Sequence, residues 1–554
     1  MLDNYDIYEI LNQYAKLMDL HNGNPFKIKA TAAAAFNIKK IGEPLALKNE
    51  EELKSIPSLG KGLASKVYEI IKTGSFEELN DLLQSTPKGV LDILNIKGLG
   101  PKKVETIWRE MGIESITELL DACRENRLVE VKGFGHKTQE QIIKDIEFKF
   151  NQEGKYHWAK LENLSLWIGN ELNKNNIEYH QVGAFSRLNE TITELQFLVN
   201  YREVNALRDV ILHENITVNL ITDNHIEFLY QSILPIQFIY SEKENWGNNI
   251  VKYSSTLEHL NLIKFDDLKS NHTDEKSVYN QLNLPFICKE FREGLNELNH
   301  LEQQEHLIKF EDLKGCLHNH STYSDGLHSL EEMAMAAKQL GLEYFGICDH
   351  SQSAFYANGL KPERVIQQMD EIDQLNAKLA PFKVLKGIES DILNDGSLDY
   401  TTDVLRLFDF VVASVHSQLK MDEEKANYRL IRAIENPYTT ILGHPTGRLI
   451  LMRQGYPIDH RKIIDACSAN GVAIELNAHP YRLDIDWRWI EYAMNKGVKI
   501  SINPDAHQKE GLSDMRYGVN VARKGYLVKE HCLNAMNLKE FDAYLEKKRI
   551  KSLQ

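Results

Sequence analysis

The sequence predicts a multidomain protein with an all-α N-terminal region of repeated helical hairpins, an α+β middle, and a C-terminal α/β barrel of seven strand–helix units. Three observations predict it. The chain runs to 554 residues, more than one hydrophobic core organises. A Gly-x-Gly segment, or a degenerate form of it, recurs within the first 145 residues. Beyond residue 311, short apolar runs alternate with amphipathic stretches, the pattern of a parallel sheet covered by helices.

Hydrophobic residues make up 42% of the chain and charged residues 26%, which excludes the disordered and fibrous classes. No apolar run approaches the roughly 20 residues that cross a bilayer. The first residues, MLDNYDIYEILNQY, are acidic where a signal peptide carries Lys or Arg, so a cytoplasmic protein without membrane association is expected. Cys123, Cys288, Cys316, Cys348, Cys467 and Cys532 stand far apart with no Cys-x-x-Cys, which suits reduced and mostly buried thiols. A net charge of −15 excludes a protein that coats nucleic acid by bulk electrostatics. Most of that charge falls beyond residue 155, so any grip on nucleic acid must be local and near the N-terminus.

Three N-terminal segments share one pattern: IPSLGKGLASKV (56–67), NIKGLGPKKVETI (95–107) and EVKGFGHKTQEQI (130–142). Each runs from an apolar residue through a glycine turn to a Lys-bearing helix start. Glycine permits positive φ and close approach by another backbone, and the first free amides of a helix attract anions. A single copy serves tight helix connections equally well; three copies favour a phosphate clamp. They resemble helix-hairpin-helix motifs, which hold the backbone of DNA. Their arrangement resembles the lyase-like and fingers regions of a family X DNA polymerase, and NPFKIKATAAAAF (24–36) is similar to the NPFRxRAYRRAA segment of that family's first domain, with alanines in its second half. The resemblance implies that Gly60, Gly62, Gly98, Gly100, Gly133 and Gly135 shape DNA-contacting turns, with Lys102 and Lys103 beside them.

The same family continues into a nucleotidyltransferase-like palm, where a Gly-Ser turn precedes a strand with two Asp at i and i+2. Alternate strand residues project together and can share a metal pair. In VGAFSRLNETITELQFLV (182–199) the pattern falls on Gly183, Ala184, Arg187, Glu190 and Thr191, but the Asp positions hold Glu194 and Gln196. A third carboxylate corresponds to Glu227. Neutral Gln cannot replace an anionic ligand of a hard divalent ion, so a degenerate palm kept as scaffold is expected. The family's TGS turn is replaced by WGN (246–248), and SVYNQLNLPFICKEFREGLNEL (277–298) reads as helix-rich.

Seven apolar runs follow as candidate strands: LKGCLHNH, EYFGICDH, FKVLKGIES, DFVVASVHS, TTILGHPT, GVAIELNAH and VKISINPDAH. Helices such as SLEEMAMAAKQLG separate them, with Ser329 and Glu332 placed for a capping box. The strand ends carry His318 and His320, Asp349 and His350, Glu389, His416, His444, Asn477 and His479, and Asp505 and His507. In a parallel barrel all strand C-termini open on one face. An isolated His pair would be noise, but ligand types at every strand end are not. Imidazole with carboxylate suits Zn²⁺, Mn²⁺ or Fe²⁺, and so many candidates imply more than one ion, with Glu389 able to bridge.

This half closely resembles the PHP domain, named for polymerase and histidinol phosphatase, through LHNHSTYSDG, DHS, GIESDIL, DGSLDY, VVASVHS, AIENP, ILGHPTGR, NAHPYRLD, PDAH and MRYGV. The resemblance implies three divalent ions in a distorted (β/α)7 barrel. One is held by His318, His320, Glu389 and Asp505, a second by Glu389, His416 and His444, and a third by Asp325, His350 and His507. Asp349 then supports the ligands from behind and His479 is structural.

Phosphate-ester hydrolysis follows as the reaction class. Arg448, Arg482 and Arg516 lie near the mouth, either to hold phosphate oxygens or to brace the barrel against acidic neighbours, and Asp505 or His507 carries the proton away. The expected domains are 1–85 lyase-like, 86–155 fingers-like, 156–240 palm, 241–311 thumb-like with linker, and 312–554 PHP. The expected function is DNA binding with 3′-5′ exonuclease-type end processing in repair. Three alternatives stay open: a working family X polymerase with an editing barrel, a non-catalytic DNA-binding scaffold, and a small-molecule phosphatase resembling histidinol phosphatase. Nothing in the sequence identifies a protein partner.

Overall fold

The computed structural model describes residues 4–38, 41, 45–56, 59–96, 98–200, 204–211, 215–222 and 225–553. Met1 to Asp3, Pro57 and Ser58 of the first glycine segment, and Lys97 of the second lie outside the described residues. The chain forms two compact units, residues 1–153 and 154–554.

The first unit is all-helical. Its core gathers Ile7, Leu11, Leu17, Val67, Ile70, Val90, Ile93, Val104, Leu119 and Ile142 from successive helices. The three glycine segments each end in a helix start: Gly60 caps Lys61–Thr73, Gly100 caps Pro101–Glu105, and Gly135 caps His136–Gln152. None of the three caps carries a side-chain bond, so the first amides of each helix remain free of a side-chain acceptor at the cap.

The second unit opens with the short antiparallel pair β1 (Tyr156–His157) and β3 (Thr191–Ile192). A five-stranded sheet follows from β2 (Tyr179–Val182), β4 (Leu195–Val199), β5 (Ile216–Ile221), β6 (His225–Tyr230) and β7 (Leu234–Tyr240), in the order β2-β4-β7-β6-β5. β4 and β7 are parallel and the other pairs antiparallel. Leu195, Phe197, Phe228, Ile236 and Phe238 bury one face with Leu161, Ile168 and Leu172 of helix Trp158–Lys174. The other face is mixed, with Gln196, Gln237 and Glu227 beside Val182, Leu198 and Ile239, which pack with Ile250.

The stretch 277–298, read as helix-rich, is helical only as far as Gln281. Asn283 adopts positive φ and Pro285 follows, so the helix cannot continue and short 3₁₀ turns carry the chain to the barrel.

The barrel strands are β8 (Gly315–Cys316), β9 (Tyr344–Ile347), β10 (Lys383–Asp391), β11 (Phe410–Ser414), β12 (Thr439–Leu442), β13 (Ala473–Asn477) and β14 (Ile500–Asn503). All are parallel, and each pairs with its neighbour in the chain. Closure between the two edges is thin. It rests on the Asn319–Ala506 bridge, with the His320 amide donating to Ala506 O at 2.8 Å, and on the Leu317 amide donating to Asn503 Oδ1 at 3.1 Å.

Inside, Phe410 occupies space that only glycine leaves: a Cβ on either Gly346 or Gly387 would lie 2.5 Å from its ring. Leu317, Leu385, Val412 and Ile441 pack around it, and Phe541 of helix Leu538–Leu553 joins them, stacked on Tyr344 at 4.9 Å. The apolar filling leaves the strand C-termini to polar residues. Ser329 and Glu332 form the expected capping box on helix Leu330–Gln339. All six cysteines are free thiols, and Cys288 is the least buried of them. Among the described residues no helix is long and apolar enough to cross a membrane.

Candidate metal centre

Strand ends bring the nine predicted ligands into one buried cluster around Glu389. Its Oε1 lies 3.2 Å from His318 Nε2, 3.1 Å from His416 Nε2 and 3.1 Å from His444 Nε2. Its Oε2 lies 3.0 Å from His350 Nδ1 and 3.6 Å from His320 Nε2. Asp505 Oδ1 sits 3.1 Å from His320 Nε2. Asp325 Oδ1 faces His507 Nε2 at 3.4 Å, His350 Nε2 at 3.6 Å and His320 Nδ1 at 3.9 Å.

Three sets have ligand atoms close enough to share an ion: His320, Asp325, His350 and His507; His318, His320 and Asp505; and His350, Glu389 and His416. His320 and His350 therefore each face two sets, one through each ring nitrogen, where the sequence reading had given each a single ion. His444 reaches the cluster through Glu389.

The electrostatics are those of an incomplete charge set. Burial works against a charged His416, but Glu389 and Asp391 outweigh it and push the ring up to about 10. His507 is likewise opposed by burial and pushed up to about 9 by Asp325 and Asp505. Burial, with His507 and His350, drives His320 down to about 3. Meanwhile Nε2 of His318, Nδ1 of His320, Nδ1 of His350 and Oε2 of Glu389 are buried without a hydrogen-bond partner. Each such orphan costs about 1–3 kcal/mol. Divalent cations are the species that satisfy imidazole nitrogens and carboxylate oxygens together, so the residues present fit them.

Two carboxylates that the sequence reading passed over aim these rings. Glu475, fully buried on β13, holds His318 Nδ1 at 2.7 Å and accepts from the His444 amide at 2.8 Å and from Asn503 Nδ2 at 3.1 Å. Asp391 holds His416 Nδ1 at 2.6 Å. A hydrogen bond on one ring nitrogen fixes which nitrogen is free for a metal. The signal was present: Glu389 with Asp391, and Glu475 with Asn477, are i,i+2 pairs like His318 and His320. Asp349 accepts from the Ser321 and Ser324 amides and from Gln368 Nε2, and so fixes the turn that carries Asp325. Asp505 is held at φ 55°, the sparsely populated left-handed region, with Asn477 Nδ2 on its Oδ2 at 3.1 Å.

The arginines separate. Arg482 Nε lies 3.5 Å from Asp505 Oδ2, at the edge of the cluster. Arg448, a candidate for phosphate oxygens, is instead spent on bracing: its guanidinium bonds Asp486 at 2.6 Å and the carbonyls of Arg482 and Leu483. Arg516 is spent in the same way on Glu162, at 3.0 and 2.7 Å. Three of the five N–H donors of Arg448, and both terminal nitrogens of Arg516, thus have protein acceptors. His479 accepts from the Tyr481 amide at 3.2 Å and is driven down to about 4 by burial.

The chain is 32% identical to a Bacillus subtilis (strain 168) protein named DNA polymerase/3'-5' exonuclease PolX, over 98% of this chain and 99% of that one. The chain belongs to the PolX family. Three family models match parts of it: a helix-hairpin-helix domain over residues 2–76, a SAM-like helix-hairpin-helix tandem over 90–147, and a PHP domain over 317–479. Proteins named probable phosphatase from Acetivibrio thermocellus (28% identical) and Thermoanaerobacter sp. (strain X514) (27% identical) match 42% of this chain and 95% of their own length.

On the five-stranded sheet, the face that carries Gln196 holds an amide ladder. Gln196 Nε2 donates to Gln237 Oε1 at 3.0 Å, and Gln237 Nε2 donates to Glu227 Oε2 at 3.0 Å, across paired positions of β4, β7 and β6. Glu194 is held above its ordinary carboxylate range by burial and by Glu227. Among the described residues, no group that could hold a metal forms there.

The hairpin glycines of the PolX chain stand open. Gly98 and Gly133 have φ 84° and 98°, which favours glycine on conformational grounds. For all of Gly60, Gly62, Gly98, Gly100, Gly133 and Gly135, a Cβ would meet nothing within 4 Å. Lys102 Nζ bonds Asn22 and lies 3.3 Å from Glu105, while Lys103 Nζ lies over the Phe134 ring at 5.6 Å, tying the second hairpin to the third.

Proposed function

We propose that this chain grips the DNA backbone through its hairpins and hydrolyses phosphodiester bonds at a 3′ end in its PHP barrel, a 3′-5′ exonuclease-type end-processing activity. The observation that carries the reading is the clustering of nine imidazole and carboxylate side chains, Glu389 at their centre, with five of their polar atoms buried and without a hydrogen-bond partner.

The proposed ligands are His318, His320, Asp325, His350, Glu389, His416, His444, Asp505 and His507, holding Zn²⁺, Mn²⁺ or Fe²⁺, with three ions as the number that best divides the set. Such ions, when bound, activate water near neutral pH and stabilise the oxygens of a phosphate ester. Arg482, at the edge of the cluster, is placed to take a non-bridging oxygen. His507 is the most exposed of the nine side chains. Its Nδ1 lies 2.9 Å from the Asp505 carbonyl, which leaves Nε2, facing Asp325, as the nitrogen free to hold an ion.

In this division of labour residues 1–85 and 86–155 hold DNA. Residues 156–240 and 241–311 serve as palm-like and thumb-like scaffold, and 312–554 perform the hydrolysis. Open helix N-termini and uncrowded glycines support backbone rather than base contacts in the first two. The amide ladder at Gln196 and Gln237 supports a palm without polymerase activity.

The test uses 3′- and 5′-labelled DNA with the full chain, with Mn²⁺ or a chelator, and with His318→Ala and Glu389→Ala. Metal-dependent loss of label in the unmodified protein alone is expected. Digestion that survives both substitutions removes the assignment. A second reading, an active polymerase with an editing barrel, is favoured by the name of the B. subtilis relative. Nucleotide addition to a primed template separates it from the first.

A further inference from the structure

The loop after β9 runs beside the metal centre and leaves two aromatic rings in water. Phe355 is 85% exposed and Tyr356 57% exposed, while Ala354, Ala357 and Leu360 around them are buried. The loop is closed and braced. The Leu360 amide donates to His350 O at 2.8 Å, the Ser353 amide to Asp399 Oδ2 at 2.6 Å, and Ser353 Oγ to Asp391 Oδ2 at 3.0 Å. A side chain on Gly359 would strike Ser351 O at 1.9 Å, so the turn admits no larger residue there. The loop that carries the rings is therefore held by the same His350 and Asp391 that shape the cluster.

We propose that Phe355 and Tyr356 form a stacking platform for the nucleobase of the nucleotide whose phosphate enters the metal centre, a reading that rests on the function proposed above. Continuity with the cluster carries it, since the Tyr356 ring lies 6.0 Å from the His350 ring, nearly edge-on to it at 61°. Charge complementarity chooses the occupant. The charges that Tyr356 faces are the carboxylates of Asp391, Glu389 and Asp325, opposed by Arg482, which sits beside Asp505. An anionic group away from the ions and Arg482 is repelled, whereas a neutral π face is not. Stacking on aromatic rings tolerates every base, as an end-processing enzyme requires. An apolar peptide or a second copy of the chain would need more than two rings to hold it.

The test compares two oligonucleotides with the full chain, one ending in an ordinary 3′ nucleotide and one in an abasic tetrahydrofuran nucleotide. The platform predicts that kcat/KM favours the base-bearing end by about 5- to 150-fold, the range of aromatic base stacking. The ratio is expected to fall towards one in the Phe355→Ala/Tyr356→Ala double variant and to be kept by Tyr356→Phe. Phe355→Leu in the Tyr356→Ala background, which restores apolar bulk without a π face, is expected not to recover it. A ratio that the double variant leaves unchanged overturns the proposal.

A second readout needs no turnover. A 3′-terminal 5-iodouracil, irradiated on the protein in chelator, is expected to cross-link to residue 355 or 356, and a cross-link confined to other residues overturns the platform. If the unmodified protein hydrolyses neither oligonucleotide, the nuclease reading fails by itself and the cross-link alone decides the platform.

Discussion

Glu475 shows how much a single side chain sets. It has no exposure, yet it receives the His318 ring, the His444 amide and the Asn503 amide group, and so ties the ends of β8, β12 and β14 to β13. Glu475→Ala strands these donors in a dry interior and is expected to destabilise the second unit by about 3 kcal/mol, read from denaturant midpoints. Glu475→Gln keeps the shape and loses the charge. It is expected to weaken divalent-ion affinity about 10- to 100-fold in a metal titration while the fold persists. Asp514 gives a pH test away from the cluster. Burial pushes it up from 3.8 to about 6, with Glu162 adding and Arg516 opposing. The fold prefers its protonated form, so its stabilising contribution is full below pH 4 and is lost as pH rises through 6. Asp514→Asn is therefore expected to melt higher than the unmodified protein at pH 7.5, by about 1–2 kcal/mol after solvent screening, and to match it near pH 4.

At the scale of elements, the barrel depends on one ring filling the space left by two glycines. Phe410→Ala removes that filling and is expected to cost about 3–5 kcal/mol and to loosen metal binding, because β10 carries both Gly387 and Glu389. Thermal melts with and without Zn²⁺ check both effects. The strand–helix alternation was legible because each apolar run ended in a ligand type; those ends offered eight of the nine residues among others, and the set itself, with Asp325, came from the resemblance to the PHP domain. Glu475 escaped because it lies two residues inside the end of β13, and Asp391 because the strand was read as stopping at Ser390, one residue short of it. The division among ions was not legible either. Which nitrogen of His320 or His350 faces which neighbour is set by ring orientation, and ring orientation is set by partners distant in the chain. The early stop of the helix at Gln281 was signalled by Asn283 and Pro285, but the apolar residues beyond them imitated a helical pattern.

Across the second unit, the palm and barrel are joined by charges that neither keeps alone. Lys524 is buried, donating to Arg187 O at 2.8 Å and to Glu293 at 2.7 Å, while Glu293 also pairs with Arg187 at 3.2 Å and Arg523 pairs with Glu290. Trp158 of the palm side packs onto the barrel's outer core. Removing one partner from a buried ion pair costs about 3–5 kcal/mol, so Lys524→Ala is expected to lower the melting transition of the second unit by that measure. A fragment of residues 312–554 is expected to melt lower than 154–554 for the same reason. The five-stranded sheet region thereby helps to stabilise the barrel.

The ion content of the full chain tests most directly whether the clustered imidazoles and carboxylates hold metal. Elemental analysis after loading with Zn²⁺, Mn²⁺ or Fe²⁺ and exhaustive dialysis is expected to find more than one ion per chain, with most of them lost in Glu389→Gln. A protein that retains no ion, or a variant that retains the full complement, contradicts that role.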